Sequence, residues 1–238
     1  MHENRIFARF KNNPNMEPNA SVNPPEISAS AAYGHGWDTL KKFIPELLLV
    51  FLLEMVISLP VGLGPVLFDP AMVGTFVNSL FNVAYTFIVL LPVNFGMSWV
   101  YLKAVRGEPF RPTDIFFAFQ QFGQVILAGV LMGAIIGIGV ILFIIPGIIF
   151  ACKLAFVPFL VMDEKLDATE AVRRSWAMTR GYAGTIFLMG IMAFFVILLG
   201  VICLIIGVIP ASILVSLAFA TIYWMVSSRL KNKTSAPV

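Results

Sequence analysis

Residues 144–182, IIPGIIFACKLAFVPFLVMDEKLDATEAVRRSWAMTRGY, decide how the chain is organised. An apolar run reverses at Pro146-Gly147, crosses back with Lys153 in its middle, and gives way to a charged segment. Proline removes a backbone donor and glycine permits positive φ, so Pro-Gly between two apolar runs reads as the tip of a helical hairpin. After Met162, Asp167 and Glu170 stand in the spacing of a capping box, and Gly181 is placed to close the helix at its far end. That helix puts Ala171, Val172, Ser175, Trp176 and Thr179 on one face and Glu170, Arg173, Arg174 and Arg180 largely elsewhere, the pattern of an amphipathic helix lying at a membrane interface. A solvated loop helix with Glu-Arg pairs fits the same pattern.

Outward from this stretch the composition is uniform in one respect. Of 238 residues 59% are hydrophobic and 12% charged, with a mean hydropathy of +0.89; soluble domains hold about 45–50% apolar residues. The expected fold is therefore all-α, a polytopic transmembrane helical bundle. Crossing hydrocarbon takes roughly 20 apolar residues, and about six such runs occur, near 43–59, 71–100, 123–145, 147–162, 183–207 and 211–228. They are arranged as hairpins, with short amphipathic helices on the cytoplasmic face. The domain organisation expected is a disordered cytoplasmic tail (1–32), a single transmembrane domain (33–230) and a cytoplasmic C-terminal tail (231–238). The first 32 residues hold no apolar run long enough for a signal-peptide core. Turns on the outer side are expected at 60–70 and around Pro210, and the second run is long enough to cross with tilt or a kink at Pro92.

Fifteen of the sixteen Lys and Arg then fall on one side: Arg5, Arg9, Lys11, Lys41 and Lys42; Lys103, Arg106 and Arg111; Lys165, Arg173, Arg174 and Arg180; Arg229, Lys231 and Lys233. Lys153 is the exception. The positive-inside rule makes that side cytoplasmic, with both termini there. Trp37, Trp99, Trp176 and Trp224, with Tyr33, Tyr101, Tyr182 and Tyr223, fall at the same boundary, where amphipathic rings favour the headgroup layer. The basic residues form no groove-sized cluster, so the net charge of +3 speaks for topology and not for nucleic acid.

Inside the spans, Gly129, Gly133 and Gly137 recur every fourth residue, a repeated GxxxG face that lets another helix approach closely. Thr75, Asn78, Ser79, Asn82 and Thr86 form a polar stripe on span two. A weak repeat at an offset of 63 lays the third and fourth spans on the fifth and sixth, matching Gly137 with Gly200 and 154–156 with 217–219. Cys152 and Cys203 lie in apolar runs and read as small core side chains.

Glu46, Glu54 and Lys153 carry charge within spans, which costs about 2.5–3.5 kcal/mol each near the bilayer centre and draws such groups toward the bundle interior. Counting about 1.5 Å per residue from the outer turns puts Glu54 and Lys153 at similar depth. Two readings follow: a pair between them, near Asn78 and Asn82, or a lysine that snorkels outward.

The run 145–181, in Ile145-Pro146-Gly147, Ala171 to Ser175 and Thr179-Arg180-Gly181, resembles a group of bacterial inner-membrane proteins related to the membrane domain attached to some glycerophosphoryl diester phosphodiesterases. The resemblance covers roughly 34–230 and implies a multi-pass helical protein of the bacterial inner membrane. It implies no phosphodiesterase, because the soluble catalytic barrel of those fusions is missing here. It carries over no catalytic residues.

The chemistry-bearing inventory is thin. The histidines are His2 and His35, and neither H-E-x-x-H nor G-x-S-x-G occurs. No catalytic residue, metal ligand or cofactor is expected. Three functional classes differ in what they need. A non-enzymatic protein would bind membrane lipid, anionic lipid through Arg173, Arg174 and Arg180, or a membrane-protein partner or second copy. A small transporter or channel would use Glu54, Lys153, Asn78 and Asn82. An intramembrane enzyme is disfavoured by the inventory, and the first class is the reading adopted.

Overall fold

The computed structural model describes residues 27–67, 75–202 and 207–235, and all the regular structure among them is helical. In chain order the helices are α1 (Ala29–Lys42), α2 (Ile44–Leu67), α3 (Thr75–Tyr85), α4 (Leu91–Arg106), α5 (Phe122–Leu142), α6 (Ile144–Leu154), α7 (Val157–Asp163), α8 (Ala168–Met178), α9 (Ala183–Ile202) and α10 (Val208–Ser235). A π-helical turn, Thr86–Leu90, joins α3 to α4, and a 3-10 helix, Pro112–Gln121, leads into α5. Six helical stretches are long and apolar enough to cross a membrane: Ile44–Val61, Phe76–Arg106, Pro112–Leu142, Ile145–Asp163, Ala183–Ile202 and Val208–Lys231. The six expected runs are these six.

The boundaries differ where proline was read as a turn. α2 runs through Pro60 and Pro65 to Leu67 instead of ending near Leu59. A proline in a spanning helix forfeits one bond, whereas an open turn in hydrocarbon would forfeit several. Asp69 and the rest of that turn lie outside the described residues. Pro146 sits in the first turn of α6, where it is tolerated, and the reversal falls at Phe143, whose φ of −165° and ψ of 152° are extended. The fourth span is not one helix: it breaks at Ala155–Phe156, and Pro158 stands in the first turn of α7. A π turn stands just before Pro92, the place at which tilt or a kink is expected.

The N-terminal tail is also shorter than expected. α1 begins at Ala29, inside the stretch read as tail, because Ser28 accepts the Ala31 amide at 3.1 Å and Ala29, Ala32, Tyr33 and Leu40 are buried. Residues 1–26, with Arg5, Arg9 and Lys11, lie outside the described residues. α1 lies along α10, and a Cβ on Gly36 would stand 3.3 Å from the Ala218 amide nitrogen. The Tyr33 hydroxyl donates to the Met189 carbonyl at 3.1 Å, and burial pushes that phenol up to about 12. At the exposed end, Lys41 holds the Asp38 carboxyl below its usual range. The other end of the chain remains helical to Ser235, beyond the 231 boundary expected for a tail.

Packing is concentrated at the end that carries the cations. There α4 is wrapped by the 3-10 helix, α7, α10 and α1, and the buried cluster runs through Val100, Leu102, Ile115, Leu160, Met162 and Tyr223. Toward the other end the packing thins out: around the α5–α6 reversal and at the end of α9, Ile141, Leu142, Phe143, Ile145, Leu199 and Ile202 are exposed.

The glycines show where helices touch. A Cβ on Gly129 would meet the Leu91 side chain, but one on Gly133 or Gly137 would meet nothing within 4 Å. The expected GxxxG face is therefore corrected to one contact. The α5–α6 hairpin instead closes through Gly139 and Gly147, where a Cβ on the first would lie 2.9 Å from the Cα of the second. The α9–α10 hairpin closes in the same manner, Gly200 against the Gly207 carbonyl. Cys152 is a free, half-buried thiol, and Cys203 lies outside the described residues.

Candidate functional site

The strongest polar constellation was not marked by the sequence pattern. Arg106, at the end of α4, reaches Asp163, at the end of α7, with two hydrogen bonds of 2.6 Å, Nη1 to Oδ1 and Nη2 to Oδ2. Such a fork on both carboxylate oxygens fixes orientation as well as charge. The Tyr223 hydroxyl of α10 donates to Asp163 Oδ2 at 3.0 Å, and Phe159 stacks on the Tyr223 ring at 5.1 Å. Three helices distant in sequence are thus tied at one level. Glu108 flanks the arginine at 3.9 Å.

Cations and indoles pair around this level. Lys41 lies over Trp37, Lys103 over Trp99 and Lys153 over Trp176, while His35 packs against Trp224 at 5.6 Å and meets the Val105 carbonyl at 3.1 Å through Nε2. Lys103 also bonds Asp114 at 2.8 Å, and the same carboxylate accepts the Arg111 amide, starting the 3-10 helix.

Lys153 is not paired with Glu54. Its ammonium lies 5.1 Å from the centre of the Trp176 ring, and no ion pair reaches it among the described residues. The cause is α8, which folds up against α5, α6 and α7: Ser175 Oγ donates to the Lys153 carbonyl at 2.7 Å. The indole is thereby brought to the lysine. Glu54, half-buried on α2, sits in electrostatic range of Tyr101 instead. Lys153→Met is expected to shift stability by less than about 1 kcal/mol, the scale of one cation–π contact, as read from the melting of the detergent-solubilised protein. A loss of several kcal/mol, as when a buried pair is broken, would put a carboxylate against the lysine and contradict this geometry.

The remaining expected residues are placed as follows. Glu46 is half-buried in the first turn of α2, where the helix dipole favours an acid. Asn82 Nδ2 donates to the Asn78 carbonyl at 2.8 Å and to its Oδ1 at 3.1 Å, so these two are brought together. Asn82 Oδ1 is buried and has no hydrogen-bond partner among the described residues.

Arg173 and Arg174 on α8 and Arg180 in the turn after it are exposed, and Glu164 engages Arg174 at 3.1 Å. Asp167 and Glu170 line the same hollow as Arg173 and Arg174, so its charge is mixed. Asp167 is the N-cap but makes no side-chain cap, contrary to the capping box. Gln124 Oε1 from α5 accepts the Ala168 amide at 3.0 Å in its place. Gly181, with φ of 97°, closes the segment as its sequence position indicates.

Sequence reasoning missed Arg106, Asp163 and Tyr223 as a group, since residues 57 and 60 positions apart leave no periodic trace. The one available signal was an aspartate at the boundary of an apolar run. Comparison with known protein families, with curated proteins and with solved structures finds no match for this chain.

Proposed function

We propose that the protein is a non-enzymatic component of the bacterial cytoplasmic membrane, as its sequence resemblance implies, with the basic end and both chain ends facing the cytoplasm. It works by holding lipid or a membrane-embedded partner. The observation that carries this reading is the uneven packing: a dense, indole-rimmed end bound by Arg106–Asp163, above spans whose apolar side chains, such as Phe76, Leu80, Phe194 and Leu199, are exposed. A bundle of that form offers lateral surface to hydrocarbon and cationic side chains to headgroups.

A transporter remains the second reading because of one group, the buried Asn82 oxygen in span two that has no hydrogen-bond partner among the described residues.

The test is lipid analysis of the protein extracted in mild detergent. Stoichiometric phospholipid, enriched in anionic headgroups, is expected to survive detergent exchange, and Arg173→Gln and Arg180→Gln are each expected to lower anionic enrichment about fivefold, from about 1 kcal/mol per interfacial cation. Complete loss of lipid on exchange overturns the reading. So does solute flux in proteoliposomes that Glu54→Gln or Asn82→Leu abolishes at unchanged protein level.

A further inference from the structure

A cavity of about 310 Å³ opens between α4, the break before α7, and α10. It lies directly below the Arg106–Asp163–Tyr223 level, because each lining helix supplies one residue to the cavity and another, four or five positions on, to the clamp: Tyr101 and Arg106 on α4, Phe159 and Asp163 on α7, Phe219 and Tyr223 on α10. Its volume is at the low end of small-ligand pockets, about 300–1,000 Å³.

The lining specifies a ligand chemistry. Met97, Phe159 and Phe219 make it largely apolar, and none of its lining residues is charged. Arg106, above it on α4, is already held on both terminal nitrogens by Asp163. An anionic group would find no partner inside.

The polar atoms are unequal. Asn94, Ser98 and Ser216 each donate to a carbonyl about one turn back in the chain, of Leu90, Asn94 and Ser212. Tyr101 is 3% exposed, lines the cavity, and its hydroxyl has no hydrogen-bond partner among the described residues. It is the lining hydroxyl that does not donate to a backbone carbonyl, as those of Ser98 and Ser216 do, and an acceptor placed in the cavity completes it.

Depth narrows the choice. Tyr101 stands five residues before Arg106 on one helix, about 7 Å along its axis. With Arg106 at the water boundary, that is the interfacial layer between headgroup and hydrocarbon, which is about 5–8 Å thick on each side. There the abundant neutral acceptors with an attached apolar chain are the ester carbonyls of glycerolipids.

We infer that this cavity is a lipid subsite in which the Tyr101 hydroxyl donates to an ester carbonyl of a glycerolipid and the acyl chain lies against Phe159 and Phe219. The inference rests on the lipid-holding reading above and gives it a place. Asn94, exposed at the rim, marks the side from which the chain enters.

The experiment titrates the full-length protein, in detergent, with an ester-linked diacyl phosphatidylglycerol and with its ether-linked analogue of identical chains, retention being read by native mass spectrometry. Wild type is expected to hold the ester form about three- to tenfold more tightly, the effect of one hydrogen bond. Tyr101→Phe removes only the oxygen and is expected to abolish the discrimination, and Ser216→Phe, which fills the cavity, to weaken both lipids at least about fivefold, with melting temperatures close to wild type as the folding control.

Lipid retained without ester preference, or a preference that survives Tyr101→Phe, overturns the subsite while leaving the lipid-holding reading intact. Retention of neither lipid overturns both. Displacement of bound lipid by free glycerol assigns the site to a small solute and overturns the inference.

Discussion

Asp163→Leu is expected to destabilise the protein by about 3–5 kcal/mol, the cost of removing one partner from a buried ion pair. The Arg106 and Asp163 side chains are only 16% and 9% exposed, so neither charge can be rehydrated without opening the end of the bundle. The substitution strands the guanidinium, whose remaining partner is Glu108 at 3.9 Å, and removes the acceptor of the Tyr223 hydroxyl.

The double variant Arg106→Leu/Asp163→Leu is expected to recover much of the loss, since two apolar side chains leave no unpaired charge. The free energy of unfolding in mixed micelles for wild type, single and double variants measures this. A single variant within about 1 kcal/mol of wild type would contradict the clamp's role, because exposed pairs contribute only about that much.

The second large effect is expected at Gly96. Its Cα on α4 lies against the backbone of Ile115 in the 3-10 helix, which carries no flexible end that could yield to an added Cβ. Gly96→Ala should therefore cost about 3 kcal/mol, the upper part of the overpacking range, and Gly96→Leu should prevent accumulation of folded protein. Gly139→Ala should cost about 1–3 kcal/mol through Gly147 and Phe150. Gly133→Ala and Gly137→Ala meet open space and should fall between neutral and about 1 kcal/mol stabilising, since alanine is the better helix former. Melting of the four alanine variants side by side checks the order, and a Gly133 loss matching that of Gly96 would reverse it.

The same glycines show what could be read from the residues alone. Hydropathy runs fix the number of spans because no alternative satisfies backbone groups in hydrocarbon, and the six runs correspond to the six helical stretches. The phase of a uniformly apolar helix is another matter. α5 has no polar face between Phe122 and Leu142 to mark its outer side, so a regular GxxxG spacing could not be told from the true contact at Gly139.

The pairing of Lys153 with Glu54 is not met for a related reason. The lysine's depth was counted along its own helix, but the height of Trp176 beside it depends on how α8 packs, a tertiary fact carried by the Ser175–Lys153 hydrogen bond. Tyr101 was legible as a boundary aromatic. The cavity it lines exists only because α7 and α10 close around it.

The account depends on the cations, the indoles and the clamp sharing one water boundary, with the α5–α6 reversal on the other. Single cysteines at Lys41, Arg111, Lys165 and Lys231, and at Phe143 in that reversal, in a background of Cys152→Ser and Cys203→Ser, can be probed in sealed cells with a membrane-impermeant thiol reagent. The account predicts labelling at Phe143 from outside, and labelling at the four basic-end positions only after the membrane is opened. Labelling of any basic-end position from the same side as Phe143 would contradict it.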